Sequence, residues 1–192
     1  MPAADSIEAG RTAPPRYRYV TCAADLCVGC QLCEFACALF KDDAVNILRS
    51  RIRMVRVEPV QMKSIACQSC ADPACVKVCH LPGAMVINPD NGLVVVDPDI
   101  CDGCAHCLDA CPFGVITLDP ETKLAWICDL CADRAEGPAC VEICPKDALA
   151  VSTPEAIAQK RRRGALPLLL AEWGANAPPI GNEEDVNRVG SE

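Results

Sequence analysis

The chain has 192 residues, within reach of a single domain, with a net charge of −8 and only 4% aromatic residues. Its 51% hydrophobic fraction is inflated by 17 cysteines, so a conventional core is thin and bound metal is expected to supply much of the folding energy. The acidic balance argues against nucleic-acid binding and for docking to basic patches on a protein partner, and no apolar run reaches the length of a membrane span.

Residues 1–16 read as a disordered N-terminal arm. They hold no apolar signal core and no twin-arginine pair, so a cytoplasmic location is expected. Cys22 stands alone ahead of the first cysteine quartet and reads as a small buried side chain rather than a ligand. Cys27, Cys30, Cys33 and Cys37 then form C-x2-C-x2-C-x3-C. Residues 51–57 are strand-like, with Arg51 and Arg53 on one face that is either solvated or a partner contact. Cys67, Cys70, Cys75 and Cys79 repeat the quartet with the middle gap widened to four. Residues 81–87, a turn at 89–92 and residues 93–96 predict a hairpin.

The regular spacing returns at Cys101, Cys104, Cys107 and Cys111, followed by Pro112. A second hairpin is predicted over residues 113–118 and 123–127, with its turn at 119–122. Cys128, Cys131, Cys140 and Cys144 close the series with a middle gap of eight. Thr153-Pro154 predicts a helix start and Gly164 its stop, which would put Lys160, Arg161, Arg162 and Arg163 in the last turn, where cations suit the helix dipole. From Gly164 onward an extended arm is expected, with Leu168, Leu169, Leu170 and Trp173 packing on the protein's own body or on another subunit.

The chemistry follows from the spacing. The third quartet with its proline is the C-x2-C-x2-C-x3-C-P run that binds a [4Fe–4S] cluster. Three thiolates in one tight turn reach three corners of one cube. The fourth has entered a helix and points elsewhere, as in two-cluster ferredoxins, where it ligates the other cluster. Four quartets imply four [4Fe–4S] clusters, which would take the loaded charge to about −16. Gly29 and Gly103 are expected to permit the unusual backbone angles of such loops. Disulfides would need an oxidising compartment, and structural zinc rarely brings a third cysteine two residues after a CxxC pair. His80 and His106 read as surface groups, the alternative being a hydrogen bond to a cluster sulfur that tunes its potential, and Trp126 as packing rather than a relay. No nucleotide loop, catalytic triad or isolated acid pair is present.

The quartets alternate regular and widened, twice, and residues 72–79 parallel residues 137–144. The fold class read from this is α+β: two ferredoxin-like halves, a duplicated two-cluster ferredoxin, with extended terminal arms. Residues 17–153 form the four-cluster domain, with an inner half over about 60–120 and an outer half from the flanking segments. Residues 154–192 form a C-terminal helix and partner-contacting arm.

On its sixteen quartet cysteines the sequence resembles the four-cluster ferredoxin subunits of the dimethyl-sulfoxide-reductase beta-chain type, which include electron-transfer subunits of formate dehydrogenase, carbon monoxide dehydrogenase and tungsten aldehyde oxidoreductase. The resemblance implies nested pairing of quartets; spacing alone equally allows sequential pairing. It would put Cys27, Cys30, Cys33 and Cys144 on one cluster and Cys128, Cys131, Cys140 and Cys37 on its neighbour. Cys67, Cys70, Cys75 and Cys111 would hold a third, and Cys101, Cys104, Cys107 and Cys79 the fourth. It further implies a non-catalytic subunit passing single electrons from a tungsten-, molybdenum- or nickel-containing catalytic partner to a flavin subunit, a ferredoxin or another carrier, in anaerobic metabolism. The tungsten aldehyde oxidoreductase system is slightly favoured, and self-association into longer wires is compatible with the sequence. The competing readings are a free, diffusible polyferredoxin and a zinc-stabilised interaction scaffold.

Overall fold

Short spacings between cysteines leave little room for regular structure, and the computed structural model describes the consequence for residues 17–57 and 61–172. The elements run β1 (Tyr19–Cys22), α1 (Leu32–Asp42), a 3₁₀ turn (Ile47–Arg49), β2 (Arg53–Val57), β3 (Gln61–Ile65), α2 (Ala74–Val78), β4 (Met85–Ile87) and β5 (Val94–Val96). They continue with α3 (His106–Ala110), β6 (Thr117–Leu118), β7 (Ala125–Trp126), α4 (Ala139–Glu142), β8 (Leu149–Ser152) and α5 (Pro154–Glu172). This mix of short helices and two-stranded sheets is α+β.

Every sheet among the described residues is an antiparallel pair: β1–β8, β2–β3, β4–β5 and β6–β7. The two expected hairpins form, with Met85 opposite Val96 and Thr117 opposite Trp126, although the second keeps only two residues per strand. The β1–β8 pair is the long-range closure, joining Tyr19 to Ser152 and Cys22 to Leu149, so the segment before the first quartet lies beside the segment after the last. Helix α1 packs on α4, and α2 on α3. Among the described residues two apolar clusters form, and cysteines belong to both. Val20, Cys33, Cys37, Ile52, Leu130, Cys140 and Leu149 build the first; Cys75, Met85, Val94, Cys107, Ile116 and Ala125 build the second.

Three expectations need correction. Arg51 and Arg53 share neither a strand nor a solvated face. Arg51 precedes β2 and pairs with Asp42 at the end of α1, while its guanidinium carbon lies 4.5 Å from the centroid of the Trp126 ring. Arg53 turns back to the carbonyls of Ile47 and Leu48. Arg49 sits over the same Trp126 ring, at 5.3 Å, and bonds Glu121 at 3.0 Å, so two cations brace the tryptophan against the 119–122 turn.

The third correction is the end of the last helix. Helix α5 runs through Gly164 and Pro167 to Glu172. One glycine costs about 1 kcal/mol in a helix, and the surrounding Ala, Leu, Gln, Lys and Arg residues outweigh it. Pro167 removes a single intrahelical bond. Lys160 to Arg163 therefore lie in the middle of α5, on an exposed stretch, and the dipole reading of these cations does not apply. Contacts divide the chain after Pro154, and the described part of the second unit is this helix. The N-terminal arm and residues 173–192 lie outside the described residues. No described helix is long and apolar enough to cross a membrane.

The Arg51–Asp42 pair decides how α1 meets the second hairpin. Both side chains are only 12% exposed, so Arg51→Ala is expected to cost about 3 kcal/mol by stranding a carboxylate and unstacking Trp126. Lys77→Ala, whose pair with Asp72 is 63% and 74% exposed, is expected to cost less than about 1 kcal/mol. Denaturant midpoints of the two variants check the contrast.

Candidate metal centres

A single rule places the cysteines. In every quartet the third cysteine is the second residue of a helix: Cys33 in α1, Cys75 in α2, Cys107 in α3 and Cys140 in α4. The width of the middle gap sets only how the backbone reaches that position. In the regular quartets the residue before the helix is left-handed, Gln31 at φ 62° and Ala105 at φ 68°. In the widened quartets an extended proline, Pro73 or Pro138, leads in. The fourth cysteine lies within a helix only at Cys37. Cys79 and Cys111 are extended residues just past α2 and α3, and Cys144 follows α4, so the expectation of a helical fourth ligand holds for the first quartet alone.

The residue before the second cysteine of each pair is also left-handed: Gly29 (φ 66°), Ser69 (φ 46°), Gly103 (φ 73°) and Leu130 (φ 57°). The sequence identified the two glycines and missed Ser69 and Leu130, which adopt the same conformation despite their side chains. That backbone turns amides toward sulfur. The N–H groups of Ser69, Val76, Leu130 and Ala139 face the sulfurs of Cys67, Cys75, Cys128 and Cys131. The Arg51 N–H donates to Cys37 Sγ at 3.2 Å, and Ser64 Oγ lies 3.3 Å from Cys33 Sγ. Asp102 and Asp129 each accept the N–H of the second cysteine of their pair, Cys104 and Cys131, at 3.1 Å. Aspartate directly after the first cysteine was the visible signal for that contact.

Folding brings the sulfurs together from distant segments. Cys27, Cys30, Cys33 and Cys144 line one pocket, and Cys101, Cys104, Cys107 and Cys79 line another. Cys67, Cys70 and Cys75 each lie within electrostatic range of Cys111, and Cys67 also of Cys70 and Cys75. Cys128, Cys131 and Cys140 each lie within that range of Cys37. Contacts of that range also link the groups: Cys33 to Cys140, Cys67 to Cys128 and Cys75 to Cys107. Among the sixteen, only Cys30 and Cys104 are exposed.

The donor set fits iron–sulfur clusters. All 17 cysteines are free thiols, and thiolate-only quartets are the ligand chemistry that such clusters require. Burial pushes Cys75 and Cys107 up to about 11 and Cys140 up to about 12, and drives Cys128 up further. Uncompensated thiolates are therefore unfavourable here, and a cation-rich core is what would hold them ionised. Cys22 is half-buried in β1 and accepts the Ser64 N–H at 3.4 Å. Desolvation also raises it, to about 11, and it neighbours Cys27. His80 Nδ1 lies 3.8 Å from Cys104 Sγ, and His80 and His106 meet edge to face at 5.7 Å beside that exposed cysteine.

Two outcomes are expected. A Cβ at Gly103 would lie 2.6 Å from the Lys123 carbonyl oxygen in a left-handed backbone. Gly103→Ala should therefore cost about 2 kcal/mol or more, whereas Gly114→Ala meets nothing within 4 Å and carries only the backbone cost. Metal binding expels the protons that these raised thiols hold below about 11. Iron release to a chelator should accordingly quicken as pH falls from 8 to 6 and slow as it rises toward 9.

Similarity to known proteins points to iron–sulfur chemistry. The family model of the 4Fe-4S dicluster domain matches residues 59–153. The thiosulfate reductase electron transfer subunit PhsB of Salmonella typhi is 37% identical, over 64% of this chain and 69% of that protein. YnfG of Escherichia coli (strain K12), a probable anaerobic dimethyl sulfoxide reductase chain, is 35% identical, over 81% of this chain and 88% of that protein. The formate dehydrogenase-O iron-sulfur subunit of the same organism is 32% identical over 68% of this chain, which spans about half (51%) of that protein. These relatives are named as electron-transfer or iron–sulfur subunits or chains of oxidoreductases. The protein belongs to the [4Fe–4S] electron-transfer subunits of the dimethyl-sulfoxide-reductase beta-chain type.

Proposed function

We propose that the protein relays single electrons through four [4Fe–4S] clusters, between the catalytic subunit of a multi-subunit oxidoreductase and a second subunit or carrier. The observation that carries this reading is that sulfurs from remote quartets line common pockets, Cys144 with Cys27, Cys30 and Cys33, and Cys79 with Cys101, Cys104 and Cys107. The reading extends this to four sets, each taking three sulfurs from one quartet and one from another. The sets are Cys27, Cys30, Cys33 with Cys144; Cys128, Cys131, Cys140 with Cys37; Cys67, Cys70, Cys75 with Cys111; and Cys101, Cys104, Cys107 with Cys79. Shared pockets support the first and last, and electrostatic range to the remote cysteine, Cys37 or Cys111, supports the middle two.

The nesting supports two ferredoxin-like halves. The outer half joins β1 to β8 and α1 to α4, and the inner half joins α2 to α3. When bound, [4Fe–4S] clusters accept and release single electrons at potentials set by sulfur hydrogen bonds, burial and nearby charge. The protein's part is to supply those amides, to keep most sulfurs from water and to fix the order of the sets. Cys33 beside Cys140, Cys128 beside Cys67 and Cys75 beside Cys107 favour a single line with exposed ends at Cys30 and Cys104.

The Cys30 end suits a lasting partner. There α1 exposes Leu32, Phe35 and Leu39 along one face, and Val28 adjoins Cys30. An apolar surface of this kind fits a permanent subunit better than a carrier that must come and go, and so weighs against a free polyferredoxin. The partner we infer is a catalytic subunit holding tungsten, molybdenum or nickel, in the cytoplasm, with residues 154–192 as a further contact.

Serine replacement tests the ligand sets. Cys37→Ser should give the same loss by electron paramagnetic resonance as Cys131→Ser, because both act on one cluster. A Cys37→Ser spectrum that matches Cys30→Ser instead would contradict the exchange of ligands between quartets.

A further inference from the structure

The Cys101/Cys104 and Cys128/Cys131 pairs share a feature that the other two lack. Asp102 Oδ1 and Asp129 Oδ1 accept an N–H within their own loop, from Cys104 and Cys131 respectively. At the corresponding positions the other pairs carry Val28 and Gln68. The other oxygen of each aspartate meets a side-chain nitrogen from a remote segment: Asp129 Oδ2 lies 2.8 Å from Lys41 Nζ, and Asp102 Oδ2 lies 3.4 Å from His80 Nε2. Neither nitrogen belongs to the loop it meets. Lys41 stands one helical turn beyond Cys37 on α1, and His80 directly follows Cys79. Cys37 and Cys79 are the remote sulfurs assigned above to these same loops.

We propose that Lys41 is a positioning residue that clasps the helix bearing Cys37 onto the Cys128/Cys131 loop, and so sets how firmly the fourth corner of that cluster is held. The inference rests on the ligand exchange proposed above. Lys41 also bonds Asp133 Oδ1 at 2.8 Å, and its side chain is only 14% exposed. The geometry is thus a fork: one ammonium joins α1 to two points of the 129–133 segment. Asp129 and Asp133 are 40% and 75% exposed, so the shielding lies on the ammonium side, and a charge-assisted bond with one shielded partner holds better than a fully exposed one. The His80–Asp102 pair is longer, and its side chains are 48% and 49% exposed, so the corresponding corner of the Cys101/Cys104 set is held less firmly.

The test uses the full-length, cluster-loaded protein and ferricyanide under anaerobic conditions. Ferricyanide takes one electron from a [4Fe–4S]2+ cluster and becomes ferrocyanide; the resulting [4Fe–4S]3+ cluster sheds Fe2+ and leaves [3Fe–4S]+, which is counted by electron paramagnetic resonance. In Lys41→Met, the component lost in Cys131→Ser should convert about tenfold faster than in the wild type, the other components being unchanged. Lys41→Arg should restore the wild-type rate. Lys41→Gln, which keeps a donor without the charge, should be intermediate and serves if Lys41→Met does not accumulate. A wild-type rate in Lys41→Met or Lys41→Gln overturns the proposal, as does equal acceleration of all components, which marks general loosening. Failure of the ligand exchange itself reads out separately, in the Cys37→Ser spectrum.

Discussion

Everything in this fold depends on sulfur atoms having to converge from segments far apart in the sequence. Helices of four or five residues and strands of two or three do not hold on their own. Each short helix presents a cysteine at a fixed point, its second residue, and the short strands pair between the quartets. The left-handed residues of the CxxC pairs serve the same end by swinging amides inward and sulfurs together. Secondary structure here is the frame that delivers thiols, and the proposed clusters would be the interior that it frames.

The electrostatics point the same way. Crowded, desolvated thiols are poor company for one another, and burial pushes several well above the ordinary thiol range. An iron core turns that liability into binding, because it replaces the protons and neutralises the sulfurs. Around this interior the fold places conventional supports: the Arg51–Asp42 pair, two arginines against Trp126, and Arg134 over the Phe40 ring at 4.3 Å. These brace the segments that carry Cys37, Cys128 and Cys131 without touching iron chemistry directly.

Much of the site was legible in the sequence, because cysteine spacing is a covalent fact and iron–sulfur loops tolerate little variation. The two hairpins were legible as well, from turn residues at 89–92 and 119–122. Conformations that depend on a neighbour's demand were not. Ser69 and Leu130 carry no local signal for a left-handed backbone, and Gly164 carries a misleading one for a helix stop. Strand β3 was passed over because Gln61, Lys63 and Ser64 lack β-branched side chains, and its partner β2 supplies the reason it forms. Arg51 looked like a surface cation because Asp42 and Trp126, its partners, are brought to it only by the fold. Grouping of the sulfurs across quartets was open for the same reason: spacing fixes each loop, whereas which loops meet depends on tertiary closure such as the β1–β8 pair.

The most direct test of the account is anaerobic isolation of the native protein with whatever subunits accompany it, followed by metal analysis of each. The account predicts iron near about sixteen per chain, with a subunit containing tungsten, molybdenum or nickel bound alongside. Zinc in place of iron, or a full complement of iron on a protein that binds no catalytic subunit, would contradict it.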